Sequence, residues 1–166
     1  MQAPGEYGVS NRIFFRLFQL GNTLQTRSAS FLGVTAVQWA VLGALSAERS
    51  VSGMALGDLA EYLMVSRQNL DGVLKRLERE GYVERAVGPT DRRARIVRIT
   101  PKGRSFWDNL ERRIGEFYRS ATLDVSPEEK QSLSRLLDRL QANLKAMGDN
   151  GSDNGPGDAA AGDAAG

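Results

Sequence analysis

Apolar positions recur along this chain at helical spacing, interrupted once by a stretch of period two. Between Val9 and Ala29, Ile13, Leu17, Leu20 and Leu24 fall at i, i+4, i+7 and i+11, one face of a helix, and Phe14 and Phe18 widen it. A second helix starts at Thr35, where Thr35 and Gln38 form a capping-box pattern: the hydroxyl serves the N3 amide and the Gln side chain reaches back. Trp39 to Leu45 is almost wholly apolar, which predicts a helix buried on most sides. Ala47 to Met54 is polar and holds Gly53, so it predicts a loop.

Two short patterns follow in tandem. Leu56, Leu59, Ala60 and Leu63 are spaced i, i+3, i+4, i+7, and Leu70, Val73, Leu74 and Leu77 repeat that spacing. Ser66 lies between them as an N-cap, and Gly81 ends the second as a residue tolerant of positive φ. Helix, short turn, helix is the helix-turn-helix arrangement. The period then drops to two. Tyr82 to Val87 and Ala94 to Ile99 read as strands, with Gly88, Pro89, Thr90 and Asp91 supplying turn chemistry between them. A hairpin loaded with Arg at its tip is a wing. Thr100-Pro101 restarts a helix that runs to about Thr122, with Phe106, Leu110, Ile114 and Phe117 along one face. Ser126-Pro127-Glu128-Glu129 caps the last helix. Its stripe of Leu133, Leu136, Leu137, Leu140, Leu144 and Met147 has a period near ~3.5 residues, which suits packing along another long helix.

Composition narrows the chemistry. The 166 residues are 25% charged and 41% hydrophobic, ordinary globular values that suit one domain with appendages. There is no Cys, which removes disulfides, zinc fingers, iron–sulfur clusters and thiol chemistry. There is no His, the commonest general base and transition-metal ligand. With no Gly-rich phosphate loop and no clustered carboxylates in an ordered segment, neither an enzyme nor a cofactor or metal site is expected. No run of about 18 apolar residues exists, so no membrane span is predicted. Met1 to Ser10 carries Glu6 and no basic cluster, so no signal peptide is expected and the expected location is the cytoplasm.

Charge is unevenly spread. Gly148 to Gly166 holds four Asp and no Lys or Arg, so a net charge of +2 for the whole leaves +6 on the preceding residues. Rich in Gly and Ala and without a large apolar residue, that tail is predicted to be disordered. Arg85 to Arg104 holds seven basic residues and one acid, Asp91, which suits either a polyanionic partner or a solvated face.

The ordered set of motifs resembles the MarR family of winged-helix transcription regulators. The likeness covers roughly Asn11 to Met147. It rests on Thr35-Ala36-Val37-Gln38-Trp39-Ala40-Val41-Leu42, on Leu59-Ala60-Glu61-Tyr62-Leu63, on Val65-Ser66-Arg67-Gln68, on Leu77-Glu78-Arg79-Glu80-Gly81-Tyr82-Val83-Glu84-Arg85, on Asp91-Arg92-Arg93 and on Ile99-Thr100-Pro101-Lys102-Gly103. Ala55 departs from the pattern, standing where family members often carry Thr, so the first helix of the motif is expected to be capped less well, by ~1 kcal/mol. The resemblance implies a homodimer, DNA binding and relief of binding by a small ligand. The fold expected is mainly α with a small β-hairpin wing (α+β): an N-terminal dimerisation helix over residues 1–34, a winged helix-turn-helix over 35–100, C-terminal dimerisation helices over 101–147 and the tail over 148–166.

The residues support DNA binding independently. On a helical wheel Leu70, Val73, Leu74 and Leu77 cluster on one side, and Gln68, Gly72, Lys75 and Arg79 lie opposite, flanked by Asn69 and Arg76. Gln68 and Asn69 can bond adenine edges in a major groove; Lys75 and Arg76 can reach guanine or phosphate. Ser66 and Arg67 open the same helix. Gly72 in its centre is either a tolerated substitution or a bare backbone that lets the helix seat deeper. In the wing, Arg92, Arg93 and Arg95 suit a narrow minor groove. Asp91 is expected to orient Arg93 by a fork-to-carboxylate bond, the alternative being a surface pair of ~0–1 kcal/mol. Arg85 and Arg98, on the strands, read as phosphate contacts or solvated charges.

The apolar stripes of the first and last helices predict a symmetric dimer that spaces two recognition helices about 34–36 Å apart on a palindromic duplex operator. A monomer whose terminal helices cover the central motif is the alternative. For an effector, Phe14, Phe18, Trp39 and Trp107 are aromatic and Arg16 can pair with a carboxylate; the competing reading is plain core. Without Cys and His, an organic effector such as an aromatic acid or its thioester is the expectation. The function expected is a ligand-released repressor. The rivals are an effector-independent or architectural DNA-binding protein and a winged-helix protein-interaction module, which would need no cationic wing.

Overall fold

A computed structural model describes residues 4–47, 50, 52–87 and 95–149. Six helices and three short strands are present among them: α1 (Pro4–Leu32), α2 (Ala36–Ser46), β1 (Met54–Ala55), α3 (Leu56–Tyr62), α4 (Arg67–Arg79), β2 (Val83–Val87), β3 (Arg95–Ile99), α5 (Pro101–Ala121) and α6 (Pro127–Asp149). The chain divides into two compact units, Met1–Ala121 and Thr122–Gly166.

Local chemistry sets the helix ends. At α2 the Thr35 hydroxyl accepts from Gln38 N at 3.2 Å, and Gln38 Oε1 accepts from Thr35 N at 2.9 Å. Ser66 Oγ accepts from Asn69 N at 3.2 Å and opens α4, whereas Ala55 supplies no side-chain cap to α3. The four residues between α3 and α4 turn through Met64, whose φ of 54° is a left-handed conformation unusual for a non-glycine. Gly81 follows α4 at φ 76°. In the second unit, Ser126 Oγ accepts from Glu129 N at 3.2 Å and the Glu129 carboxylate accepts from Ser126 N at 2.8 Å. Hydrogen bonding to the Ser126 backbone N–H first, and to the Ser126 side chain second, holds the Glu129 carboxyl below its ordinary pKa.

The core of the first unit sits where α2, α3, α4, α5 and the sheet converge. Val41, Leu42, Leu45, Leu59, Leu70, Leu74, Leu77 and Val97 are fully buried, with Leu110 and Ile114 of α5 beside them. α1 starts earlier and ends later than its apolar stripe predicts, and most of that stripe is exposed: Ile13, Phe14, Phe18 and Leu20 all face outward, while Ser28 and Leu32 near its end are buried. Leu133, Leu136, Leu137 and Leu144 of α6 are likewise exposed. α6 also continues through Gly148 to Asp149, two residues into the segment expected to be disordered; the rest of that segment lies outside the described residues.

The sheet corrects the expected loop over Ala47 to Met54. The hairpin pairs antiparallel with Val83 opposite Ile99 and Val87 opposite Arg95, and β1 adds a third strand, with Met54 opposite Val97 and Ala55 opposite Ile96. The strand order is β1-β3-β2. Gly53 permits this. Its φ is 91°, and a Cβ there would lie 2.5 Å from Ile96 Cγ2 and 2.7 Å from Val97 O. Only glycine lets the chain enter so close to β3. Two paired residues are too few to leave a period in the sequence.

Candidate nucleic-acid interface

α4 presents the polar face its wheel predicts. Gln68, Asn69, Gly72, Lys75, Arg76 and Arg79 are exposed, Leu70, Leu74 and Leu77 are buried beneath them, and Val73 is half-buried. A Cβ on Gly72 would meet nothing within 4 Å, so neither packing nor backbone conformation requires glycine there. Gln68, Asn69, Gly72, Val73 and Arg76 line an open depression of about 380 Å³ that Gln38 of α2 and its N-cap Thr35 complete. Ser66 is spent on the cap. Arg67 turns away from the stripe: its Nη2 lies 3.2 Å from where a Cβ on Gly57 of α3 would stand.

Two of the exposed cations have carboxylate neighbours on their own helix. Lys75 Nζ is 2.9 Å from Asp71 Oδ2, and Arg76 Nε donates to Glu80 Oε1 at 3.3 Å. Exposed pairs of this kind contribute ~0–1 kcal/mol, so a phosphate can displace them.

Arg85 is not a phosphate contact or a solvated charge. Its side chain is only 18% exposed. Nη1 donates to Asp71 Oδ1 at 2.6 Å, Nη2 donates to Asp71 O at 3.3 Å, and Nε lies 3.0 Å from Glu78 Oε2. Strand β2 is thereby braced against α4 by one guanidinium between two carboxylates. Bonding to Lys75 first and Arg85 second lowers the Asp71 pKa from its ordinary 3.8. A carboxylate with a lowered pKa stays ionised at neutral pH, and its contribution is lost only as pH falls through that lowered value. Arg98 is also engaged. Its Nε donates to Ser52 O at 2.9 Å and ties β3 to the chain entering β1. Arg95 is exposed at the start of β3. Asp91, Arg92 and Arg93 lie outside the described residues.

The far end of α4 is clamped by the start of α5. Thr100 N donates to Tyr82 O at 3.0 Å, Thr100 Oγ1 donates to Gly81 O at 2.7 Å, and Tyr82 stacks on Phe106 with ring centroids 4.3 Å apart. α4 is therefore held at its exit by the start of α5 and at its flank by β2.

The residues expected to form an effector site separate into two groups. Phe14, Arg16 and Phe18 are exposed on the N-terminal half of α1. Trp39 sits edge-on to Phe117 and Tyr118, with centroids 6.0 and 5.9 Å away, and Phe31 lies 5.8 Å from Phe117. Trp107 packs against α2, where a Cβ on Gly43 would lie 2.8 Å from its Cη2. Phe18 precedes Phe31 by 13 residues, about 20 Å of helix, so one chain does not bring Phe14 and Phe18 to Trp39. Phe31 and Tyr118 complete the aromatic cluster; Phe31 lies seven residues after Leu24 and Tyr118 four after Ile114, so each continues the apolar face of its helix, and the fold brings the two faces together. Burial raises the Tyr118 pKa above 10.0. Among the described residues, no three Asp or Glu side chains converge as a metal site, and no single helix is long and apolar enough to cross a membrane.

Comparison with known proteins places these elements. Residues 32–94 match the sequence model of the MarR family. The chain is 41% identical over 151 residues to the transcriptional activatory protein BadR of Rhodopseudomonas palustris, covering 89% of this chain and 86% of that protein. It is 30% identical over 125 residues to the homoprotocatechuate degradative operon repressor of Escherichia coli, covering 75% and 80%. Among solved structures, a mutant MarR from Escherichia coli complexed with operator DNA superposes with a TM-score of 0.68 at 25% identity, covering 84% of this chain and 99% of that one.

Proposed function

The chain belongs to the MarR family of DNA-binding transcription regulators, and we propose that it acts as a homodimer on a palindromic operator, as a repressor that a small organic acid releases. The observation that carries the reading is α4: an exposed row of amide and cationic side chains, uninterrupted by a large apolar residue, on a helix braced at both its flank and its exit. Gln68 and Asn69 in the first turn are assigned to base edges; Lys75, Arg76 and Arg79 to phosphate or guanine; Arg92, Arg93 and Arg95 to the wing's minor groove, with Asp91 orienting Arg93. Ser66 and Arg67 present the helix start, and Gly72 admits the duplex closely.

The dimer reading is supported by the exposed apolar stripes of α1 and α6, which a second copy would remove from water. Domain roles follow: residues 1–34 and 101–147 associate, 35–100 read DNA. Sedimentation equilibrium at micromolar concentration should give twice the 18.1 kDa chain mass; a mass of one chain would end the dimer reading.

An aromatic acid, free or as its thioester, is the proposed effector. A relative named for control of homoprotocatechuate degradation and the Trp39–Phe117–Tyr118 cluster support this class. A thermal-shift screen of such acids should find one that raises the melting temperature and, at the same concentration, releases operator DNA, since a ligand of the folded state stabilises it by mass action. If the stabilising compounds leave DNA affinity unchanged, ligand control by this class fails. Activation is the second reading, favoured by the 41% identity to a protein called activatory. Deleting the chain from a reporter strain separates the two: expression rises for a repressor and falls for an activator.

A further inference from the structure

α5 carries three cations that each end on the C-terminus of another helix. Lys102 Nζ donates to Glu80 O at 2.7 Å, the C-cap carbonyl of α4. Arg104 Nη1 donates to Ser46 O at 2.5 Å, at the last residue of α2. Arg113 donates through both Nη atoms, to Leu32 O at 3.2 Å and to Phe31 O, the last two residues of α1. The last carbonyls of a helix lack intrahelical partners and carry the negative end of its dipole, so a cation there satisfies both hydrogen bonding and charge. α1 and α2 have no basic residue in their own last turns; α5 supplies it.

The three contacts differ in what they join. Lys102 and Arg104 tie together parts of the winged-helix body. Arg113 alone of the three reaches α1, the helix proposed to bind the second copy. α1 is embedded only near its end, at Ser28 and Leu32, and most of its first 24 residues are exposed. Its direction is therefore set where Arg113 grips it, beside the Phe31–Phe117 ring contact. A planar fork on two consecutive carbonyls constrains an angle more than a point charge on one carbonyl does. The lever is long: over 29 residues, about 43 Å, a tilt of about 10° moves the far end by about 7 Å, the rise of about two base pairs.

We infer that Arg113 is a positioning residue for operator recognition. It fixes the angle between α1 and the winged-helix body, and so the separation of the two reading helices in the dimer. The inference rests on the dimeric, operator-binding reading above. Arg113 touches no DNA in this scheme and acts through the attitude of α1.

The test uses the full chain, an operator selected by the wild-type protein from random-sequence duplexes, and versions of that operator with half-sites one base pair nearer or farther, about a tenth of a turn each way. Arg113→Gln should remain dimeric and helical, and should keep wild-type affinity and salt dependence on random DNA. It should lose about ten-fold in operator affinity. It should also lose much less than wild type when the spacing is changed, because its reading helices are no longer held at one separation. Arg113→Lys, which keeps the charge without the fork, should fall between. A wild-type spacing profile in Arg113→Gln reduces Arg113 to a stability contact and overturns the inference. If Arg113→Gln is monomeric or unfolded, Arg113→Lys decides: a flattened profile supports the inference and a wild-type profile overturns it. A wild-type protein indifferent to spacing would remove the dimeric reading, and the inference with it, and is recognised because wild type itself shows it.

Discussion

Gly103→Ala should destabilise the protein by about 3 kcal/mol or more, at the upper end of overpacking substitutions. Gly103 lies in the first turn of α5, where that helix meets the exit of α4. A Cβ there would overlap the Tyr82 carbonyl oxygen and lie 2.8 Å from its carbon and 2.9 Å from Ile99 Cγ1. The carbonyl cannot yield easily, because it already accepts from Thr100 N at 3.0 Å and its residue stacks on Phe106. Relief requires α5 to move away from the exit of α4. Urea unfolding followed by circular dichroism measures the loss. Gly72→Ala is the matched control: it is also a helical glycine, but its Cβ meets open space, so the substitution should stabilise the free protein by ~1 kcal/mol. An unchanged midpoint for Gly103→Ala would show that the contact between α5 and the α4 exit is slack.

Gln68→Ala should cost about 1–3 kcal/mol on the operator and little on random DNA, with the salt dependence nearly unchanged. Gln68 is exposed in the first turn of α4 and carries no charge, so the contribution proposed for it lies in base edges rather than in counterion release. Arg93→Ala is the contrast. Its place in the wing rests on sequence, and its loss should weaken binding to both DNAs and lower the salt slope by about one. Entry into a narrow A·T-rich groove would add some loss of specificity. Competition binding at two salt concentrations separates the roles once circular dichroism shows both variants folded. Equal losses for Gln68→Ala on the two DNAs would remove it as a reader, and an unchanged slope for Arg93→Ala would leave it a structural partner of Asp91.

The elements whose causes are local were legible in advance. Thr35 and Gln38 are three residues apart, as are Ser66 and Asn69, and Ser126 and Glu129, so each cap could be read from spacing and is formed as read. The same holds for α4: a 3.6-residue period with Leu70, Leu74 and Leu77 on one side leaves Gln68, Asn69, Lys75, Arg76 and Arg79 on the other whatever the helix packs against. The candidate interface was visible because an amphipathic helix divides its own faces.

What the tertiary structure decided are relations between residues distant in the chain. A charge on a strand looks the same in sequence whether solvated or paired; Arg85 became a brace because folding set it beside Asp71, 14 residues away. Arg113 became the grip on α1 across 81 and 82 residues. β1 exists only because β3 passes close enough for Gly53 to admit it. The expected aromatic group divided because two sets on separate helices have no reason in sequence to meet. Periodicity and capping act within a turn or two of backbone, so the sequence by itself determined the helices, their caps and the exposed polar face of α4. Ion pairs, helix-end cations and short strands need partners brought from elsewhere: α4 supplies them to Arg85, the ends of α1, α2 and α4 to the cations of α5, and β3 to β1.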